Sequence, residues 1–338
     1  MISQKICIFE SMKTLSNQEL IKGIRSGDKR LLGKAITLVE SKKSEHRTQA
    51  EELLKELLPF TGKSVRVGIT GVPGAGKSTF IESFGKLAIQ QGKKVAVLAI
   101  DPSSSLNKGS ILGDKTRMEQ LATEKDAFIR PSPTSGFLGG IANATFESML
   151  ICEAAGYDFI LIETVGVGQS EVLVSDITDV FLFLKIIGGG DELQGIKRGV
   201  MEMVDLIFIN KVEEDNRLKA KNTKIELLRA LHFLPSKEES WKVPVLLGSA
   251  LNNNGLEEVY EKIESFINLR ISNNTFEETR KKQAEKRFDY WVQEYILQKT
   301  KSDQSTGNFY EEHKKNASEL KSNPSSEAKI FVEKLLKK

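Results

Sequence analysis

A lysine and a serine directly follow a glycine-rich turn in the stretch GITGVPGAGKSTF, residues 68–80. The stretch fits the pattern GxxxxGK[ST], and the context that this pattern requires is present, with the apolar run VRVGIT before it and a helical run after it. Glycines let successive backbone N–H groups face phosphate oxygens, and a helix N-terminus adds about half a positive charge. We therefore predict a triphosphate cradle, with Lys77 on the β and γ phosphates and the Ser78 hydroxyl on Mg²⁺. The expected contacts are Gly71, Val72, Pro73, Gly74, Ala75, Gly76, Lys77, Ser78 and Thr79.

Three acidic residues are candidates for completing the metal site. Asp101 follows the apolar run KVAVLAI, Glu163 follows YDFILI, and Asp114 lies in the loop GSILGDKTR. Metal ligands and phosphate sensors of nucleotide-binding sheets lie at the carboxyl ends of neighbouring strands. We therefore expect Asp101, Asp114 and Glu163 to bind Mg²⁺ together with Ser78. An acid that ends a strand also serves as a turn or helix cap, and this is the alternative for Asp101.

The run ETVG, residues 163–166, resembles the DxxG of GTPases, whose glycine N–H contacts the γ-phosphate. Gly166 is therefore the candidate sensor of the γ-phosphate. Val167 stands where Ras-like enzymes carry the glutamine that orients water, and an aliphatic side chain cannot do this. We expect slow intrinsic hydrolysis, with water held by Asp101, Asp114 or a group that a partner orders, and hence a molecular switch. The catalytic candidates are Lys77, Asp101, Asp114, Glu163 and Gly166.

Two further segments predict which base the site accepts. The run NKVEED follows the apolar run VDLIFI, and its Asn210 and Lys211 match the guanine-reading NKxD of GTPases. The acid of that pattern is Glu213 here, and one extra methylene moves a carboxylate by about 1.3–1.5 Å unless the loop retreats. The later run GSALNNNG supplies the segment whose backbone donates to the guanine carbonyl oxygen: Ser249, Ala250 and Leu251. GTP is the favoured nucleotide, and ATP or mixed use is the alternative.

These residues lie between elements that an α/β fold would position. Six short apolar runs alternate with amphipathic helical stretches: VRVGIT, KVAVLAI, YDFILIE, VFLFLKII, VDLIFIN and VPVLLGS. Such alternation predicts a mostly parallel sheet flanked by helices on both faces. Ahead of it the pattern is helical, with Ser16 and Glu19 spaced as a capping box and Gly27 with Asp28 marking a break before the helical stretch KRLLGKAITLVESKK.

The chain divides into three parts at this level. We expect an N-terminal helical extension over residues 1–62, a nucleotide-binding domain over 63–270, and a C-terminal helical arm over 271–338, broken by SDQSTGN and KSNPSS. Within the arm, apolar residues recur at helical spacing and form a larger face than a lone surface helix needs: Phe288, Trp291, Val292, Tyr295 and Ile296. This face either serves in dimerisation or packs back on its own domain.

Composition sets limits on partners and compartment. The 338 residues carry 49 Lys and Arg against 46 Asp and Glu, a formal charge of +3, which favours neither a nucleic-acid nor a membrane partner. Cys7 and Cys152 are far apart, which indicates a reducing compartment without a disulfide framework or a CxxC metal site. No run approaches the roughly 18 apolar residues of a spanning helix. We expect a cytoplasmic chain.

Taken together, the motifs closely resemble one known family. GVPGAGKSTF, AIDPSS, IRPSPTSGFLGGIANAT, ETVGVGQSE, GGGDELQGIKRG and NK occur in the order and spacing of the bacterial MeaB/ArgK GTPases. The resemblance runs from about RLLGKAITLVES to GSALNNNGLEEV and more faintly through the helical tail. It implies a P-loop NTPase fold of the SIMIBI type and the phosphate, metal and base roles given above. Glu213 departs from the family pattern, which leaves nucleotide preference open and the phosphate chemistry untouched.

The resemblance also implies partners. Members of this family are G-protein chaperones of an adenosylcobalamin-dependent methylmalonyl-CoA mutase, and they form homodimers through a helical C-terminal arm. A mobile segment couples their nucleotide state to the mutase, and it resembles GGGDELQGIKRG here, with Asp191, Glu192, Gln194 and Lys197 as its polar members. From the residues alone, this is a glycine-rich loop that either changes conformation or simply connects two elements. The implied function is to bind GTP or GDP with Mg²⁺, dock on the mutase, gate cofactor loading and protect the loaded enzyme.

Other classes of function use the same phosphate loop. A kinase or transport-associated ATPase would need a separate acceptor pocket; Ser103 to Ser105 and Thr164 resemble acceptors, but the sequence indicates no such pocket. A nickel-delivery GTPase would need a His or Cys cluster, whereas His46, His232 and His313 are dispersed. A binding module with an inactive nucleotide site is disfavoured by the intact Lys77, Ser78 and Glu163.

Overall fold

The computed structural model describes residues 15–41, 43–101, 118–133, 138–164, 170–187, 198–234, 238 and 240–336. The chain forms two compact units, one that runs up to Arg280 and one that begins at Lys281. The predicted division at residues 62 and 270 stays a prediction. Within the part of the chain described, none of the helices combines the length and hydropathy that crossing a bilayer requires.

A parallel sheet of seven described strands forms the centre of the first unit. The spatial order of the strands is β3-β2-β4-β1-β5-β6-β7, and every neighbouring pair is parallel. Strands buried on both faces read as continuous apolar runs, which explains the composition of the central strands. The bounds are β1 Val65–Gly71, β2 Val95–Asp101, β3 Ala127–Pro133, β4 Phe159–Glu163, β5 Val180–Ile186, β6 Leu206–Asn210 and β7 Val245–Leu247. The predicted α/β fold with a parallel sheet is confirmed.

Helices precede, connect and follow these strands. In chain order they are α1 Asn17–Arg25, α2 Lys29–Val39, α3 Ser44–Leu57, α4 Lys77–Gln90, α5 Glu119–Thr123, α6 Leu138–Ala154, α7 Ser170–Ser175, α8 Arg198–Met201, α9 Arg217–His232, α10 Leu256–Ser272, α11 Thr275–Ser302, α12 Gln304–Ser318 and α13 Pro324–Leu335. Short 3₁₀ turns lie at Leu58–Phe60 and Glu214–Asn216.

The six apolar runs predicted as strands did not include one of the seven described strands. The segment AFIRPSP forms β3, which pairs in parallel with β2 from Ala127↔Val95 to Pro133↔Asp101. Its two prolines and its polar residues do not fit the apolar pattern of a buried strand. Proline cannot donate an N–H to a neighbouring strand, so within sheets it is confined to edges. β3 is an edge strand, so Pro131 and Pro133 are tolerated there.

The N-terminal helices begin where the sequence predicts. Ser16 and Glu19 form the expected capping box, with the Ser16 N–H donating to Glu19 Oε2 at 2.8 Å. Asp28 caps α2 by accepting from Arg30 N and Leu31 N at 2.8 and 3.0 Å. Each cap satisfies N–H groups that have no partner within the helix, which contributes about 1 kcal/mol.

Two apolar clusters cover the two faces of the sheet. On one face, α1, α2, α3 and α6 bury residues of one continuous cluster that includes Leu20, Ile36 and Leu53. On the other face, α4 and α10 bury a second cluster centred on stacked phenylalanines, among them Phe80 and Phe84. The N-terminal extension is therefore part of the first unit's core.

Cys152 lies in α6, within the cluster that the N-terminal helices cover. Its side chain is fully buried, and this burial raises the pKa of the thiol well above its ordinary value. The thiol acts as a small apolar side chain in this position.

A group of buried charges, here called the Asp179 cluster, lies at the amino ends of β1 and β5. Its members are Arg66, Glu153, Asp179, Arg270 and Arg280. Arg280 donates twice to the Asp179 carboxylate, at 2.9 and 2.7 Å, and Arg66 donates twice to Glu153, at 2.8 and 3.1 Å. Arg280 also donates to the carbonyls of Gly62 and Ser64 at 2.7 and 2.6 Å. The cluster thereby joins the first turns of α11 to the chain that enters β1.

The second unit is helical, as predicted. Asp303 alone separates α11 from α12 and caps α12 by accepting from Thr306 N at 2.8 Å, so the predicted break SDQSTGN is one residue wide. Phe309 packs on Phe331 across α12 and α13, and His313 pairs with Glu327 between the same helices. On α11, Trp291 stacks on Tyr295, whereas Phe288 and Ile296 are 68% and 54% exposed.

Candidate functional site

The glycine loop between β1 and α4 has the backbone geometry of a phosphate cradle. Gly74 and Gly76 have φ values of +81° and +85°, which L side chains rarely adopt. A Cβ on Gly76 would lie 2.8 Å from Asn210 Nδ2, and one on Gly71 would lie 2.5 Å from Leu184 O. Gly74 is therefore needed for its conformation, Gly71 for close packing against Leu184, and Gly76 for both reasons.

Lys77, the first residue of α4, is held against this loop. Its side chain is 9% exposed, and its Nζ donates to Gly71 O at 2.8 Å and to Val72 O at 3.4 Å. Burial lowers the pKa of Lys77, while the charges of Glu163 and Glu171 act in the opposite direction. The ammonium thus stands at the N-terminus of a 14-residue helix, beside backbone N–H groups that attract anions.

Ser78 and Glu163 bring two oxygen ligands together. Ser78 Oγ donates to Glu163 Oε1 at 3.1 Å, across the space between α4 and the end of β4. β4 lies between β1 and β2, so the carboxyl ends of these three strands are neighbours, and Asp101 is the last residue of β2. A hydroxyl and a carboxylate are ligands that Mg²⁺ accepts, so the residues present fit this ion.

Several predicted residues cannot be placed. Asp114, Gly166 and Val167 lie outside the described residues, as do Asp191, Glu192, Gln194 and Lys197, and the side chain of Asp101 is likewise outside them. In the described part of the chain, no group of three or more His, Cys, Asp or Glu side chains could hold a metal ion.

Asn210, the last residue of β6, joins three segments of the site. Its Nδ2 donates to Ala75 O in the phosphate loop at 2.9 Å, and its Oδ1 accepts from Ala250 N at 2.9 Å. Ser83 on α4 donates to Ala250 O at 2.8 Å, which adds a second link to the same segment. The phosphate loop, the loop 210–213 (here called the NKxE loop) and the 249–251 segment are therefore one connected structure.

The NKxE loop lines an open cavity of about 660 Å³ at the carboxyl ends of β6 and β7. Glu213, Asn252 and Asn254 contribute to its wall. Ser249 is buried and pairs with Asn254, whereas Leu251 is 75% exposed. Of the predicted base-side residues, Glu213 lines this cavity, whereas Asn210, Lys211 and the 249–251 segment lie beside it in the chain and are not part of its wall.

A comparison of the sequence with known families decides between the possible classes of P-loop protein. The model of the family described as "Methylmalonyl Co-A mutase-associated GTPase MeaB" matches residues 32–305. The chain belongs to the MeaB family. The resemblance predicted from the motifs is confirmed, and so is the P-loop NTPase fold that it implied.

Curated relatives of the MeaB family match over most of the chain. A "Putative GTPase" of Caulobacter vibrioides is 55% identical over 238 residues, which cover 70% of this chain and 73% of that protein. The "GTPase ArgK" of Escherichia coli K12 is 44% identical over 292 residues, 86% of this chain and 88% of that protein. A crystal structure titled "LAO/AO transport system kinase" matches with a TM-score of 0.75 and 34% identity, covering 97% of this chain and 100% of that one. These similarities identify a MeaB-family GTPase, a class of proteins that bind guanine nucleotide.

Sequence reasoning missed two side chains of this MeaB-family site. Glu171, in the first turn of α7, is 7% exposed, and its charge acts on Lys77. Its position within ETVGVGQSE, next to the predicted sensor, was the available signal. Asn216 holds the NKxE loop from the start of α9, and the sequence offers no distinguishing signal for that contact.

Proposed function

We propose that this chain is a Mg²⁺-dependent GTPase whose nucleotide state acts on an adenosylcobalamin-dependent acyl-CoA mutase, with methylmalonyl-CoA mutase the favoured client. In this proposal it docks on the mutase, gates cofactor loading and protects the loaded enzyme. The single observation that carries the proposal is the Asn210 bridge, which joins the phosphate loop to both base-side segments in a chain of the MeaB family. A bare phosphate loop would support only a nucleotide-binding protein.

The residues of the site divide into phosphate and metal groups. The backbone of residues 71–79 would hold the triphosphate, and Lys77 would exchange its carbonyl partners for the β and γ phosphate oxygens. Ser78 and Glu163, with Asp101 and Asp114, would hold Mg²⁺, and Gly166 would report the γ-phosphate. The ion would supply charge neutralisation on the phosphates. The 3.1 Å contact between Ser78 and Glu163 supports this assignment.

Guanine is the base that the arrangement favours. Lys211 would pack its stem along the purine, Glu213 would accept from the base edge, and residues 249–251 would donate to the carbonyl oxygen. Val167 supports slow intrinsic hydrolysis, because its side chain cannot orient water. The GTP cycle then matters through different contacts in two nucleotide states. The segment with Asp191, Glu192, Gln194 and Lys197 would carry this difference to the mutase.

Binding to the mutase in each nucleotide state tests this function. Purified full-length chain, loaded with GDP or with a non-hydrolysable GTP analogue, is titrated against methylmalonyl-CoA mutase, and nucleotide affinity is measured for GTP and ATP. We expect tighter binding of GTP than of ATP and a mutase affinity that depends on the bound nucleotide. Equal affinities for GTP and ATP would contradict the guanine assignment. Absence of mutase binding in either state would remove the chaperone role and leave the nucleotide site.

Homodimerisation through α11 belongs to the same proposal, together with a cytoplasmic location. The exposed face of Phe288, Val292, Tyr295 and Ile296 supports it, because 38–68% exposure of four apolar side chains on one helix face is unfavourable in water. Replacing Phe288 and Ile296 together by Glu is expected to convert a dimer into a monomer in sedimentation equilibrium. Gln293→Glu, which adds a charge at an exposed position of the same helix, is the matched control. An unchanged mass for the double variant would exclude this face from the dimer.

The geometry argues against one acceptor of the kinase alternative, Thr164. Thr164 is fully buried and donates to Thr70 Oγ1 at 3.0 Å, so its hydroxyl is not available as an acceptor. The residues Ser103 to Ser105 lie outside the described residues.

A further inference from the structure

We propose that Asn216 is a positioning residue that sets the base selectivity of the site through the backbone of the loop that carries Glu213. This inference rests on the proposed guanine-binding function. It assigns a role to a side chain that lies outside the NKxE pattern and that does not itself contact the base.

One side-chain amide fixes two peptide groups of the loop. Asn216 Oδ1 accepts from the Glu213 N–H at 2.9 Å, and Asn216 Nδ2 donates to Lys211 O at 2.9 Å. The residue between them is fixed from the opposite side, because Val212 N donates to Gly248 O at 2.9 Å. Hydrogen bonds therefore hold the backbone of three consecutive residues, 211 to 213, and fix the conformation of the loop.

The conformation that Asn216 holds is a strained one. Lys211 has a φ of +61°, in the left-handed region that non-glycine residues rarely occupy. Such conformations cost about 1–3 kcal/mol and persist only where the surroundings impose them. Asn216 is the side chain that holds the Lys211 carbonyl, so its removal lets this residue relax and shifts the residues that follow it.

Asn216 makes these contacts instead of capping α9 with its side chain. It is the N-cap residue of α9, yet its side chain makes no hydrogen bond to the N–H groups of that helix. An Asn at an N-cap usually accepts from the second or third helical N–H, which contributes about 1 kcal/mol. The side chain instead points back into the loop, where it forms a capping box with Glu213 around the 3₁₀ turn Glu214–Asn216.

Base recognition depends on this backbone more than it would with aspartate. Glu213 is exposed and carries one more methylene than the acid of NKxD, and its carboxylate accepts from the Asn216 N–H, so its direction depends on the backbone between these two residues. The phosphate contacts come from the loop between β1 and α4, which is joined to this segment by Asn210 and not by Asn216. Loss of the Asn216 contacts should therefore weaken recognition of guanine while leaving triphosphate binding intact.

Affinities of the full-length protein for GTP, ITP and ATP test the inference. ITP lacks the 2-amino group, and ATP offers neither of the guanine donors. For Asn216→Ala we expect GTP affinity to fall about 10-fold, ITP affinity to fall less, and ATP affinity to stay within about 2-fold. Asn222→Ala, at an exposed asparagine of the same helix, is the matched control and should leave all three affinities unchanged.

Two further variants separate positioning from helix capping. Ser and Asp are N-cap residues about as good as Asn, but neither can accept from Glu213 N and donate to Lys211 O at once. Asn216→Ser and Asn216→Asp should therefore show the same loss of GTP preference, with thermal unfolding close to that of the wild-type chain. Wild-type selectivity in these two variants would overturn the inference, and so would an equal loss of affinity for all three nucleotides. A wild-type chain without preference for GTP over ATP would instead overturn the proposed guanine function itself.

Discussion

Replacing Lys77 by Ala is expected to lower single-turnover hydrolysis of GTP by at least about 100-fold. The ammonium lies within 2.8 Å of Gly71 O at the mouth of the glycine loop, where it can move onto phosphate oxygens that come to rest there. Removing one preorganised cationic donor from such a site leaves developing phosphate charge without its partner. Phosphate release from pre-bound GTP, with Mg²⁺ present, gives the rate directly.

Lys94→Ala is the control for this variant, because Lys94 is an exposed lysine just before β2, away from the glycine loop. Its rate should equal that of the wild-type chain. A Lys77→Ala protein that keeps both its fold and a wild-type rate would contradict the phosphate role of Lys77.

The ionisation of Lys77 also predicts how GTP affinity depends on pH. Burial lowers the pKa of Lys77, so the side chain loses its proton at a lower pH than an exposed lysine does. Only the charged form pairs with phosphate. GTP affinity of the wild-type chain should thus be constant at neutral pH and fall as pH rises through the lowered pKa. The pH profile of Lys77→Ala shows the contribution from titration of the guanine base, which both proteins share. If the wild-type and Lys77→Ala affinities change with pH in parallel, Lys77 is not the titrating group.

Asp179→Ala is expected to be the most destabilising single substitution in the Asp179 cluster. Asp179 is 3% exposed, and its carboxylate accepts two bonds from Arg280 and one from Arg66 N at 2.9 Å. Removing one partner of a buried ion pair leaves the other charge without compensation, which costs about 3–5 kcal/mol. We expect the free energy of unfolding of the first unit to fall by about that amount.

Urea denaturation followed by tryptophan fluorescence measures this loss. The chain has two tryptophans, so a Trp291→Phe background leaves Trp241, which donates to Asp205 O in the first unit, as the reporter. Glu258→Ala, at an exposed glutamate of α10, is the control and should change stability by no more than about 0.5 kcal/mol. If the two variants unfold at the same urea concentration, the cluster does not stabilise the fold.

Local patterns predicted most of the fold. Six of the seven described strands are continuous apolar runs, and the helix starts at Ser16 and Asp28 carry their own capping residues, so each could be recognised within a few residues. β3 could not, because its prolines and polar residues are acceptable only at an edge, and the position of an edge is set by the whole sheet.

The site was predictable where one short segment makes it and unpredictable where distant segments meet. The glycine loop and Lys77 follow from a single motif. The bridge from Asn210 to Ala75 spans 135 positions, and the contacts of Arg280 with Gly62 and Ser64 span more than 200. Pairings of this kind depend on the sheet order, which periodicity does not encode. The same limit holds at short range for Asn216, because the sequence does not show whether its side chain caps α9 or bonds to the backbone of residues 211 and 213.

The buried thiol of Cys152 can report how often the N-terminal helices α1 to α3 separate from α6. A thiol reacts as the thiolate, and burial under α1 to α3 suppresses both the thiolate and the access of a reagent. In a chain with Cys7 replaced by Ser, the rate at which Cys152 is alkylated would therefore measure how often those helices separate from α6.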